Sequence, residues 1–213
     1  NFSTRYEKMQ LIWSSGDPIS AMKYISQYVT EKEAAVLFRQ TTQNYRTNFE
    51  NGPKLNNNND NLNRLLAIDY QTFLTDNNLV KVDRATMSVS LEGREPMLDH
   101  RLIELLSSIP SDLKIKNGVN KYLLKKIVHK YIPKELMERP KKPFIAPLGI
   151  WFKNELKNQM VEYLNTDTLS RQGIFNAKNV VGLRDQYLSG QKVSYQKLWN
   201  LLVFQLWYNR WMK

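Results

Sequence analysis

The chain has 213 residues, enough for one well-buried core or two small ones, and 42% hydrophobic with 11% aromatic content argues against wholesale disorder. It contains no cysteine, which excludes a disulfide framework, a thiol nucleophile and cysteine-based metal sites. A net charge of +11 points to anionic partners, whether nucleic acid, an acidic membrane or a small polyanion such as a nucleotide. There is no apolar run long enough to span a bilayer and no signal-peptide core near Asn1, so the expectation is a cytoplasmic protein.

Pro18 followed by Ile19, Met22, Ile25 and Val29 sets a helical stripe, and Thr30 with Glu33 spells a capping box that opens a second helix towards residue 41. From about 43 to 61 the chain is polar and includes Asn56-Asn57-Asn58-Asn59-Asp60, which predicts a mobile loop within a single domain over residues 1–213. Helical period returns over 61–75, and a further helix carrying Leu79, Val82, Met87 and Leu91 is expected after Asp76-Asn77-Asn78. Other helices are predicted at 99–108, 119–131, 147–164, 177–189 and 194–211. The last is apolar on nearly every face, and core packing is expected for Trp199, Trp207 and Trp211. No sustained alternation of period two and no internal repeat is present. The basic residues read as scattered along the chain, which by this criterion argues against a nucleic-acid partner.

Two segments are unlike ordinary amphipathic sequence. Residues 79–101 pack Lys81, Asp83, Arg84, Glu92, Arg94 and Asp99 between the apolar anchors Val80, Met87 and Leu91. Charges so close to a core must be paired or hydrogen-bonded. They either form a structural ion-pair network or face a cleft and bind a charged substrate. Residues 138–152 contain Pro140, Pro143 and Pro147, which forbid a regular helix and stiffen a loop presenting Arg139, Lys141 and Lys142. This loop is expected to dock through Phe144 and Trp151. It is either a solvated basic loop or a device that aims a lysine at phosphate. His100 and His129 have no third ligand nearby, so no metal site is expected.

Leu74-Thr-Asp-Asn-Asn-Leu-Val-Lys-Val-Asp-Arg-Ala-Thr-Met87, Leu91-Glu-Gly-Arg-Glu-Pro-Met-Leu-Asp99, Gly118-Val-Asn-Lys-Tyr-Leu-Leu-Lys125, Arg139-Pro-Lys-Lys-Pro-Phe144 and Leu198-Trp-Asn-Leu-Leu-Val-Phe-Gln-Leu-Trp207 form five ordered blocks. Together they resemble the C-terminal part of the synthetase domain of class B, glutamine-dependent asparagine synthetases. The resemblance implies a mainly α fold: a bundle of about eight helices, the C-terminal portion of an adenine-nucleotide alpha-hydrolase-like (ATP-pyrophosphatase) α/β domain. It implies a ligase that uses ATP with Mg²⁺ to adenylate the aspartate side chain for attack by ammonia from a glutaminase domain. Lys141 takes the position of the lysine that stabilises the phosphates, Lys81 and Arg84 fall at substrate-binding positions, and Asp83, Glu92, Arg94, Asp99 and Arg139 fall on the cleft scaffold. Homodimerisation is left open.

Pro143 stands where the family has glycine, and Met97 replaces the usual phenylalanine. The pyrophosphate loop Ser-Gly-Gly-x-Asp-Ser and the glutaminase are expected upstream of Asn1, so the chain alone should be inactive. The first 60 residues carry no recognised block. The alternatives are a related adenylating amidotransferase or β-lactam-type synthetase acting on another carboxylate, a basic helical nucleic-acid-binding module, or a helical interaction domain.

Overall fold

The computed structural model describes residues 2–40, 46–51, 60–140 and 146–212, and the side chains within them except at 2–5, 7, 8 and 51. It is mainly helical, as expected. In chain order come α1 (Phe2–Ser14), α2 (Pro18–Ser26), α3 (Glu31–Leu37), α4 (Asn48–Asn51) and α5 (Asn61–Asp69). A π-helical segment (Tyr70–Leu79) leads into α6 (Val80–Met87), followed by α7 (His100–Ser108), α8 (Ser111–Lys114), α9 (Tyr122–Val128) and α10 (Lys134–Met137). The chain ends with α11 (Leu148–Trp151), α12 (Lys157–Tyr163), α13 (Thr166–Gln172), α14 (Ala177–Leu188) and α15 (Tyr195–Trp211). Between α8 and α9 a hairpin pairs β1 (Ile115–Lys116) with β2 (Val119–Asn120), antiparallel, with Lys116 opposite Val119. Among the described residues no helix is long and apolar enough to cross a membrane.

The chain divides into two compact units: residues 1–14, 23–45 and 143–213 form the first, and 15–22 with 46–142 form the second. Of the expected loop at 43–61, residues 43–45 and 52–59 lie outside the described residues. Asn48–Asn51 form a single helical turn, and Asn61 already begins α5.

In the first unit the capping box at α3 forms. Glu33 N–H donates to Thr30 Oγ1 at 3.3 Å, and Thr30 N–H donates back to Glu33 Oε2 at 2.9 Å. Such a cap contributes about 1 kcal/mol. Lys197 Nζ of α15 also donates to the Glu33 carboxylate. Burial pushes the Glu33 pKa up, but the bonds from Lys197 and Thr30 outweigh it and hold the carboxyl below its ordinary value. After α3 the chain lies against residues 174–179. Arg39 N–H donates to Ile174 O at 2.9 Å, Asn176 N–H to Leu37 O at 2.8 Å, and the Phe38 and Phe175 rings meet at 4.9 Å.

The core of this unit is built on one stripe of α15. Leu198, Leu201, Leu202 and Gln205 follow the i, i+3, i+4, i+7 spacing that puts them on one face, and all four are buried. They share the core with Phe152, Met160, Leu164, Leu169, Phe175 and Val180. Gln205 is tolerated there because its amide is matched. Gln172 Nε2 donates to Gln205 Oε1 at 2.6 Å, and Gln205 Nε2 donates to Gln172 Oε1 at 2.8 Å.

Several sequence expectations are corrected in this unit. Of the three tryptophans assigned to the core, Trp199 packs there beside Phe152, whereas Trp207 and Trp211 are exposed. Helical period assigned their residues to a helix, but α15 has only one neighbour-covered face. The single helix expected at 147–164 is broken between α11 and α12. At the break Phe152 turns inward to full burial while Trp151, the expected anchor, stays partly exposed.

In the second unit residues 61–87 run without the stop expected at Asp76-Asn77-Asn78. These residues make no side-chain cap and are absorbed into the π segment, where Thr72 Oγ1 donates to Ile68 O at 2.8 Å. Asp60 caps α5 through Asn63 N–H at 3.1 Å and also accepts from Ser111 N–H at 3.2 Å, joining the starts of α5 and α8. Burial raises the Asp60 pKa, but the donors on Asn63 and Ser111 outweigh it, and the net shift is downward. The hairpin turns through Asn117 and Gly118 at φ +50° and +76°, the pair of positive values that a two-residue turn of this hand needs.

The burial contrast between the units is large. Among the described residues of the second unit only Ile68, at 3% exposure, and Thr72 are buried. The apolar anchors Val80, Met87 and Leu91 are exposed, as is Val82 of the expected helix. Spacing places Val80, Met87 and Leu91 on one face, but no neighbour in the described chain buries them. Leu202→Ala should therefore cost about 2–5 kcal/mol in urea unfolding followed by tryptophan fluorescence. Leu105→Ala, at a position 59% exposed, should cost less than about 1 kcal/mol.

Candidate functional site

The first informative stretch folds back on itself. Helix α6 is closed by Ser90 N–H donating to Met87 O at 3.0 Å and Leu91 N–H donating to Thr86 O at 3.0 Å. Ser90 sits at φ +60°, a left-handed conformation that costs a residue with a Cβ about 1–2 kcal/mol. The reversal sends residues 91–95 back along α6. Gly93 comes so near that a Cβ there would lie 3.6 Å from Thr86 Oγ1 and 3.8 Å from Val82 Cγ1. A short 3₁₀ turn, Pro96–Leu98, then delivers Asp99 to the start of α7.

Between α6 and the returning segment lies a cleft of about 610 Å³, lined by Leu79, Val82, Asp83, Gly93, Arg94, Glu95, Pro96, Leu98 and Asp99. Its apolar wall comes from α6 and the 3₁₀ turn. Its polar groups are three carboxylates and one guanidinium. Asp99 is held firmly: its Oδ1 accepts from Arg101 N–H at 2.9 Å and Nε at 3.0 Å, and its Oδ2 accepts from Arg101 Nη2 at 2.7 Å. The Arg101 side chain, then its backbone N–H, hold the Asp99 carboxyl below the ordinary range despite a small opposing effect of burial.

The structure sorts the sequence candidates. Asp83, Arg94 and Asp99 come together at the cleft, whereas Lys81, Arg84 and Glu92 do not line it. Lys81 Nζ lies 3.5 Å from Asn77 Oδ1 on the preceding turn. The four-residue ion-pair network considered for Asp83, Arg84, Glu92 and Arg94 is not what forms. Among the described residues only Glu92 and Arg94 pair, at 3.1 Å and in solvent, where such contacts contribute little. Arg139 is exposed, and its N–H donates to Met137 O at 3.2 Å. Lys141, with Lys142 and Phe144, lies outside the described residues.

Glu138, next to Arg139, lies within 4 Å of three basic side chains: Lys125 at 3.9 Å, His129 at 3.7 Å and Lys134 at 3.5 Å. Among the described residues no group of three His, Asp or Glu side chains is placed to hold a metal ion.

A second concavity, of about 530 Å³, belongs to the first unit and is lined by Pro147, Gly149, Lys153, Asn154, Tyr187 and Tyr195 among others. Tyr187 Oη donates to Gly149 O at 2.8 Å, and burial, then the neighbouring Tyr195, push its phenol pKa up. Sequence reasoning passed over both tyrosines, because each reads as an ordinary helix residue.

A mainly helical chain that folds blocks 74–87 and 91–99 around one cleft defines a class, the helical portion of a synthetase domain. Comparison with known proteins makes this particular. The family model described as asparagine synthase matches residues 5–209, so the first 60 residues, which carried no recognised block, fall almost wholly inside it. The chain belongs to the asparagine synthase family. It is 31% identical over 148 residues to the glutamine-hydrolyzing asparagine synthetase 1 of Bacillus subtilis (strain 168), covering 70% of this chain and 23% of that protein. Against the glutamine-hydrolyzing asparagine synthetase of Homo sapiens it is 31% identical over 161 residues, 70% of this chain and 27% of the relative. For the Gallus gallus enzyme of the same name the identity is 34% over 132 residues, 58% of this chain and 22% of the relative. The chain thus spans about a quarter of the length of these relatives. No solved structure matches it.

Because Asp99 is stabilised as the anion, its carboxyl carbon should titrate in NMR with a midpoint below the ordinary 3.8, and Arg101→Met should raise it. The sign for stability follows. The advantage of the wild type over Asp99→Asn should be complete above the ordinary aspartate range and fade as pH falls through the lowered midpoint.

Proposed function

We propose that this chain is the helical part of an ATP-dependent ligase that converts the side-chain carboxylate of aspartate to an amide. Within that reaction a carboxylate oxygen attacks the α-phosphorus of ATP and pyrophosphate leaves. Ammonia released from glutamine then attacks the acyl carbon, and AMP leaves. The observation that carries this reading is the fold-back that brings Asp83, Arg94 and Asp99 of two family-like blocks to one cleft. A wall of this composition suits an amino acid: the carboxylates of Asp83 and Glu95 for an α-ammonium group, and the Arg94 guanidinium for a carboxylate.

Arg94 lines the cleft, which favours it over Lys81 and Arg84 for direct contact with the substrate. Asp99 keeps a scaffold role because Arg101 already occupies both its oxygens. Lys141 is assigned to the phosphates by its place in the Arg139-Pro-Lys-Lys-Pro-Phe144 block, where an ammonium group would stabilise charge that develops as pyrophosphate departs. Mg²⁺ would accompany the nucleotide. It would be held largely by the phosphates and water, and the described residues contain no group of three His, Asp or Glu side chains that could hold it alone. The two units serve as parts of one synthetase domain in this reading, and the isolated chain is inactive.

Aspartate-dependent exchange of labelled pyrophosphate into ATP tests the proposal in a full-length protein that contains this chain. Lys141→Ala should lower the exchange rate by about 10²–10³-fold. Arg94→Ala should chiefly raise the aspartate concentration needed for half-maximal exchange, by about ten- to a hundredfold. The chain on its own should catalyse no exchange. Exchange by the Lys141→Ala protein at the wild-type rate would remove the assignment of that lysine, and exchange supported equally by carboxylic acids lacking an α-ammonium group would remove aspartate.

A further inference from the structure

The basic residues are not evenly scattered. Residues 114–142 hold ten lysines and arginines against two glutamates, a net +8 out of the chain total of +11. The rest of the sequence is close to balanced. Part of this charge is internally matched: Lys125 and Lys134 share Glu138, and Lys114, whose Nζ donates to Asn63 Oδ1, feels the Asp60 carboxylate. Lys116, Lys121, Lys126 and Lys130 are exposed, and among the described residues none has a carboxylate partner. An ordinary solvated face mixes both signs, because unrelieved like charge works against the compact state.

Aromatic rings are interleaved with these lysines. Tyr122 is half-buried, and both Lys116 and Lys126 reach its ring, their Nζ atoms 5.4 Å and 5.2 Å from the centroid. The one ring therefore gathers two ammonium groups from the hairpin and from α9. Tyr131, on the turn after α9, is 82% exposed and presents a bare ring face beside Lys130. Lys121 is held between hairpin and helix at φ +57°, a strained conformation for a residue with a long side chain.

From this arrangement we infer that the surface formed by β1, β2, α9 and the following turn binds single-stranded nucleic acid. The four unmatched lysines meet successive phosphates, and Tyr131 stacks on a base. A duplex fits less well, since α9 has only seven residues and offers no long helix to lie in a major groove. The inference does not depend on the ligase reading, and Lys141 and Lys142, though counted in the charge of the segment, are not among the contacts proposed.

The test uses the whole chain and a fluorescein-labelled uridine oligomer of about 20 nucleotides, followed by anisotropy as salt rises from roughly 50 to 200 mM. Four phosphate contacts on a single strand predict a log–log slope of about −2.8, a loss of affinity of about fiftyfold over that range. The triple variant K116Q/K126Q/K130Q should lower the slope to about −0.7, whereas the equally charged control K32Q/K157Q/K178Q should leave it near the wild-type value. Tyr131→Ala should weaken binding about tenfold with the slope unchanged. Circular dichroism identical to wild type establishes that the variants fold. A slope near zero would overturn the proposal. So would equal effects of the two triple variants, an intact affinity in Tyr131→Ala, or competition by polyglutamate as effective as by unlabelled oligomer.

Discussion

One buried stripe on α15 governs the first unit. Leu198, Leu201 and Leu202 supply the apolar contacts to Phe152, Met160, Leu164 and Leu169, and each such side chain removed from water contributes about 1.5–3 kcal/mol. Gln205 continues the same face and sets its register. Its reciprocal amide pair with Gln172 gives each amide both a donor and an acceptor contact, and a slip of α15 by one residue would break both bonds at once. The other elements are placed by this packing. Helix α3 is capped by Thr30 and Glu33 and held to α15 through Lys197, and the Phe38–Phe175 contact joins it to the start of α14.

The second unit is governed by a different constraint, local hydrogen bonding with little burial. Asp60 gathers the starts of α5 and α8, the left-handed Ser90 reverses the chain after α6, and Arg101 fixes Asp99. These devices shape a cleft wall without a large core beneath it. An energetic consequence is that the wall can be well defined locally and still be weakly stabilised as a whole. A functional consequence is that the charges at the cleft remain hydrated enough to meet a substrate, because none is locked into a buried network.

The fold was legible where a local signal and a covered face coincide. Thr30 and Glu33 gave the start of α3, whereas α15 reads as apolar on nearly every face, so its sequence marked it for burial without naming the inner stripe. Legibility failed where the two part. The apolar anchors Val80, Met87 and Leu91 fall on one helical face by spacing, yet periodicity states which residues share a face and not whether anything lies against it. Asp76-Asn77-Asn78 has the composition of a helix start, but a π segment satisfies its backbone without any cap. The hairpin at 115–120 is too short to show alternation, and the Asn117-Gly118 pair was its only cue. At the candidate site, motif spacing named Asp83, Arg94 and Asp99 alongside Lys81, Arg84 and Glu92. Only the reversal at Ser90 separates the residues that line the cleft from those that do not, and no spacing rule contains that reversal. The concentration of charge in 114–142 was present in the sequence but is easily diluted when counted over the full length.

The division between a self-sufficient core and a thinly buried wall underlies every other feature of this molecule. Residue-resolved native-state hydrogen exchange on the whole chain measures it. The amides of α12, α14 and α15 should exchange only through global unfolding, with a common free energy. Those of α6, α7 and α9 should exchange through opening events at least about 2 kcal/mol less costly. Equal protection across both sets would contradict the account, since it would require the second unit to own a core that its described residues do not contain.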